Sequence, residues 1–174
     1  MITIEKKGKE YNVKNKLSEV NLAELDKLTE INMNENLNQV NKRIEIIKAL
    51  GLPNDVANSL GAKSLIEITQ HTIVNVDGGG MKRQIEVEGN TYTAFDEGEE
   101  FDLTGGQLAK IEDIYKEQNN LASRIMAVIF QGDDKYDDRV KLFQEHLTAD
   151  IAAPYINWID LNVLETIKSL VNES

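Results

Sequence analysis

Two stretches of alternating apolar and polar residues stand 81 positions apart, and each is followed by a run with helical spacing. In the first, "ITIEKKGKEYNV" at residues 2–13, Ile2 and Ile4 share one face of an incoming strand, and Tyr11 and Val13 return on the second. In the other, "QIEVEGNTYTAF" at residues 84–95, Ile85 and Val87 lead in, with Tyr92 and Ala94 leading out. The period of two predicts antiparallel hairpins, and Gly8 and Gly89 supply the positive φ that such tight turns require. Strands this short need helices to pack on.

The runs that follow repeat the theme. Asn21-Leu22-Ala23-Glu24 and Thr104-Gly105-Gly106-Gln107 each place a capping residue three positions before Glu or Gln, the spacing of a capping box. Behind them come apolar-periodic helices carrying Leu22, Leu25 and Leu28 in one case, and Leu108, Ile111 and Tyr115 in the other. Next are "RIEIIKALG" at 43–51 and "RIMAVIFQG" at 124–132, again at an offset of 81, with Gly51 and Gly132 placed to end a helix. A third helix is predicted from near Asn54 or Asp55, bearing Val56, Leu60, Leu65 and Ile68. Its counterpart starts near Asp137 or Asp138, with Val140, Phe143, Leu147 and Ile151. The pattern predicts an α+β fold, predominantly helical, in which two similar units of a β-hairpin plus three helices arise from an internal duplication. The units span residues 1–76 and 83–156, joined by a Gly-rich linker at 77–82 that contains Gly78–Gly80. Pro154 is expected to break the preceding helix, and Asp160 to cap a last one within 157–174, striped by Leu164, Ile167, Leu170 and Val171.

Charge sharpens the picture. Residues 1–82 hold 11 Lys/Arg and 11 Asp/Glu, whereas residues 83–174 hold 8 and 19, so the whole net charge of −11 lies in the second half. Such a surface repels a phosphate backbone, which argues against nucleic acid as a partner. No apolar run is long enough to span a bilayer, and the N-terminus lacks the pattern of a signal peptide, so neither a membrane nor secretion is expected. Absence of cysteine removes thiol catalysis and thiolate metal sites.

Candidate chemistry is thin. "DGGG" near Lys82 lacks the spacing of a phosphate-binding loop. Asp133, Asp134, Asp137 and Asp138 suggest calcium, but counted from Asp133 the third position is Lys135 and the sixth is Asp138, which fails the EF-hand pattern. "DEGEEFD" at 96–102 is an acidic loop ahead of a helix start, where negative charge suits the dipole. His71 and His146 have no histidine partner nearby, and Ser59 and Ser123 sit in no nucleophile elbow. No catalytic, cofactor-binding or metal residue is therefore assigned, and an enzyme is not expected. The residues expected to touch a partner are Tyr155, Trp158, Leu164, Ile167 and Val171, aromatic and apolar positions of the kind that form hot spots.

The opening "KKGKEYNV" and "RVKLFQEHLTADIAAPYINWI", above all "TADIAAPYI" at 148–156, resemble small virion or tail-assembly proteins of tailed bacteriophages. The resemblance implies a non-enzymatic structural or assembly role in the host cytoplasm and in the virion. Its partners would be phage structural proteins or copies of the chain itself, and no cofactor is implied. The charge pattern supports an alternative, a free cytoplasmic adaptor or chaperone that masks a basic partner. On the structural or assembly reading, removal of residues 157–174 is expected to abolish assembly or partner binding while the remainder stays folded.

Overall fold

The structure, a computed structural model, describes residues 1–71 and 80–164. It is predominantly helical, with two small antiparallel sheets. Strands β1 (Ile2–Lys6) and β2 (Lys9–Val13) pair with Ile4 opposite Tyr11, and β3 (Gln84–Val87) and β4 (Asn90–Thr93) pair with Ile85 opposite Tyr92. The registers are thus the same at the offset of 81. Both turns have positive φ at two successive residues, Lys7 (51°) with Gly8 (71°) and Glu88 (49°) with Gly89 (77°). That is the twist-matched two-residue connection for which glycine is selected.

Both capping boxes form. Asn21 Oδ1 accepts from the Glu24 amide at 2.9 Å while Glu24 Oε2 accepts from the Asn21 amide at 3.0 Å, opening α1 (Leu22–Met33). Thr104 and Gln107 exchange the same bonds to open α5 (Gly105–Glu117). Next come α2 (Gln39–Ala49) and α6 (Leu121–Ile129).

Each expected third helix is two. In the first half α3 (Asn54–Ala57) stops, and α4 (Ala62–His71) begins afresh. At the junction the Ser59 hydroxyl donates to the Val56 carbonyl at 2.8 Å, a local bond that competes with helix continuation. In the second half α7 (Tyr136–His146) ends, Leu147 and Thr148 are extended, and α8 (Ala149–Ile159) follows. Here the chain is held open by pairing, because Thr148 forms an antiparallel bridge with Asn21 from the other half.

The C-terminal expectations need correction. Pro154 lies inside α8, which continues through it into a π-helical turn, Asp160–Leu164, so Asp160 starts no new helix. An internal proline forfeits one backbone bond and costs about 3 kcal/mol. Packing of Ala152, Tyr155 and Ile159 on either side of it, each fully buried, offsets that cost. Ile159 and Val163 belong to the core, so removing residues 157–174 would strip core side chains, and Ile167, Leu170 and Val171 of the expected stripe lie outside the described residues.

Two buried clusters form. One gathers Val13, Val20, Leu28, Ile47, Leu50 and further residues of the first half, and the other gathers residues of β3, β4 and α5 to α8. Each borrows from the other half: Leu22 packs in the second cluster and Ala149 in the first. Helix α1 rests on α6, α7 and α8 as well as on α2. Backbone bonds close the seam, from the Leu22 amide to the Leu147 carbonyl at 2.9 Å and from the Ala149 amide to the Val20 carbonyl at 2.8 Å.

Candidate functional site

Of the side chains expected to meet a partner, one is enclosed in the core. Tyr155 is fully buried, its ring edge-to-face with Phe101 and Phe130 at 5.1 and 5.3 Å, and its hydroxyl donates to the Lys82 carbonyl. Burial pushes that phenol up to about 12. It is a core residue, and its assignment as a contact is withdrawn. Trp158 is half-buried and leans on Phe101 at 5.0 Å. Leu164 closes the π-helical turn, and Ile167 and Val171 lie outside the described residues.

Phe101 explains what the acidic loop does. It reaches inward to Phe95, Tyr155 and Trp158, and so pins the 96–102 loop to the core by one apolar anchor. On either side of that anchor Asp96, Glu97, Glu99, Glu100 and Asp102 are all exposed. Between this loop, β4 and the start of α5 lies a hollow of about 490 Å³, walled by Phe95, Glu99, Glu100, Leu103 and Gln107 among others. Its character is mixed: carboxylates at the rim and apolar side chains beneath.

A second hollow of about 330 Å³ adjoins it, sharing Thr104, Gln107 and Gln131 as a common wall. Here the charge reverses, because Lys110 and Arg139 line it. Lys110 Nζ sits 3.3 Å over the Tyr136 ring, a cation–π contact. Burial, then the nearby Arg139 charge, pushes the Lys110 ammonium down from its usual range. Arg139 comes from the first turn of α7 and is 7% exposed. Its Nη1 donates to the Phe130 carbonyl at 3.1 Å, and its Nε lies 3.5 Å from Asp134 Oδ1 without a hydrogen bond.

The shared wall includes Gln131, just past the C-terminal end of α6. Gln131 exchanges two backbone bonds with Thr93 of β4, at 2.9 and 3.0 Å. Gly132 lies against Tyr92, where a Cβ would meet the ring at 2.7 Å. The Tyr92 hydroxyl in turn donates to Asp134 Oδ2 at 2.9 Å.

Of the four clustered aspartates, Asp134 thus serves Tyr92 and Arg139, and Asp137 and Asp138 stand in the first turn of α7. Among the described residues no three acidic or histidine side chains converge as a metal-ligand set. His146 Nδ1 is 3.2 Å from Glu88. The Ser123 hydroxyl donates to Asp26 at 2.5 Å. That buried aspartate escaped sequence reasoning, for it stands in α1 as one more acidic residue with no local signal. Arg139 escaped too, since nothing near it in sequence marks a buried cation. No helix among the described residues is long and apolar enough to cross a membrane. No protein-family model matches this chain, and neither a curated protein nor a solved structure matches it.

Proposed function

We propose that the chain is a non-enzymatic structural or assembly protein of a tailed-bacteriophage particle, acting through protein–protein surfaces in the host cytoplasm and in the virion. The observation that carries this reading is the 96–102 loop: five exposed carboxylates presented on a fixed aromatic anchor beside a hollow with an apolar floor. A rigid acidic face of this kind suits a basic protein partner, with charge steering the encounter and the apolar floor holding it. The likeness of "TADIAAPYI" to phage assembly proteins supplies the particle. This loop replaces Tyr155 as the contact, because Tyr155 is core.

Deleting the chain from the phage that encodes it is the direct test. Particle yield should fall, and be restored by the intact chain but not by a variant with Asp96, Glu97, Glu99 and Glu100 changed to their amides. Undiminished yield after deletion would refute an assembly role. The same loop also favours a second reading, a free cytoplasmic adaptor that masks a basic partner. Mass spectrometry of purified particles separates the two, since a virion component stays in the finished particle and an adaptor does not.

A further inference from the structure

Three aromatic rings stand in succession at the edge of the second buried cluster, and each is only half-buried. Phe95 meets Phe101 with ring centroids 6.0 Å apart, and Phe101 meets Trp158 at 5.0 Å. Leu161 follows at the next turn of the helix. It is 69% exposed, more than any other large apolar side chain among the described residues. A lone exposed leucine is ordinary, but one that follows on three partly open rings extends an apolar patch, and such patches mark contact sites.

Carboxylates border that patch along its length. Asp96 and Glu97 follow Phe95, Glu99, Glu100 and Asp102 bracket Phe101, and Asp160 precedes Leu161, all of them exposed. Asp102 accepts from the Leu103 amide and Asp160 from the Tyr115 hydroxyl, each at 2.8 Å, and neither donor carries a charge to neutralise them. Lys82 and Arg83 are held near by their carbonyls, which accept from the Tyr155 hydroxyl and the Ala94 amide. Two cations against this set leave the border strongly negative.

We propose that Phe95, Phe101, Trp158 and Leu161 form the docking surface for a basic amphipathic helix of a partner protein. Its apolar stripe lies on the rings, and its lysines or arginines pair with the bordering carboxylates. Charge complementarity selects this occupant, because an apolar patch edged by one sign of charge accepts a segment with an apolar face and the opposite sign. The ring spacings of 6.0 and 5.0 Å bracket the rise of one helical turn, about 5.4 Å, so side chains one turn apart on the helix meet successive rings. Cations at the edge of the stripe also gain from the open aromatic faces. The inference rests on the acidic loop as a contact surface and adds the chemistry of the segment that it receives.

Trp158 is the single tryptophan of the chain and lies in the patch, so its emission reports docking. The full chain is titrated with a tryptophan-free synthetic peptide of about 18 leucines and lysines in helical period. Two controls accompany it: the same composition in strict alternation, and the helical pattern with glutamate in place of lysine. A saturable change in emission is expected with the helical lysine peptide, at least about tenfold tighter than with the alternating one. Leu161→Ser, at an exposed position whose loss leaves the core intact, should weaken that binding about five- to tenfold. Changing Asp96, Glu97, Glu99 and Glu100 to their amides should weaken it too and flatten its salt dependence. No saturable change, equal binding of the two lysine peptides, binding of the glutamate peptide, or an affinity unchanged in Leu161→Ser would overturn the proposal. The titration needs no particle, so its failure alongside a loss of particle yield on deletion strikes the docking surface and leaves the assembly role standing.

Discussion

At the scale of single residues, the feature that shapes the molecule most is Asp26. Helix α6 starts after Asn120, which has φ of 45° and gives no side-chain cap. The missing cap comes from α1 instead. Asp26 Oδ1 accepts from the Ala122 amide at 2.6 Å and from the Ser123 amide at 3.4 Å, and Oδ2 accepts from the Ser123 hydroxyl. Asp26→Ala would leave these donors buried and unpaired, and should cost about 3 kcal/mol in urea denaturation. Burial raises the Asp26 carboxyl above its usual range, against the pull of the Ser123 hydroxyl and the two amides. A raised folded-state value favours folding below the unfolded value and loses that benefit as pH rises through the folded one. Wild type should therefore gain stability relative to Asp26→Asn as pH falls through the carboxylate range, and paired melts across that range check the sign. Glycines give a second residue-level contrast. Gly51 and Gly132 match in sequence, yet Gly51 is needed for its φ of 109° and Gly132 for the space occupied by Tyr92. Gly132→Ala should cost about 1–3 kcal/mol, and Tyr92→Ala in the same chain should remove much of that penalty, as a double-mutant cycle would show.

Secondary-structure elements were the most legible level of the chain, and their failures have identifiable causes. Period-two alternation around Gly8 and Gly89 and the boxes at Asn21 and Thr104 are local signals, and the elements that they announce form where expected. The break at Thr148 and the continuity through Pro154 are decided by a partner distant in sequence and by packing, which no window of neighbours contains, whereas the break at Ser59 turns on a local bond to Val56 that the apolar periodicity does not report. The same limit hid the hollow beside α5, whose wall needs α6 and α7 in place. The two hairpins, alike in register, differ in what covers them. Ile85, Val87 and Tyr92 are buried, whereas Ile2, Ile4 and Tyr11 are only half-covered. Amides of β1 and β2 should exchange with deuterium faster than those of β3 and β4, by at least about tenfold, because local opening scales with the apolar contact that it breaks.

For the molecule as a whole, the repeat seen along the chain does not produce two independent bodies. Leu22 lies in the second cluster, Ala149 in the first, and Asp26 ties α1 to α6 across the seam. Unfolding should accordingly be one transition. Trp158, the single tryptophan, reports the second half by fluorescence, and far-ultraviolet circular dichroism reports all the helices. Their urea midpoints should coincide, and separated midpoints would show that the halves melt alone. Helix α6 is enclosed nearly all round, with Arg124 the one residue of 121–130 that is not buried. It cannot hold its place until its surroundings exist, and its N-terminal cap is supplied from 97 residues upstream. On a ribosome adding about 5–20 residues per second, α1 therefore waits roughly 5–20 s for the helix that it caps. Over that interval the nascent chain displays Leu22 and an unsatisfied carboxylate, and the emerging N-terminal half is the form that holding factors would meet.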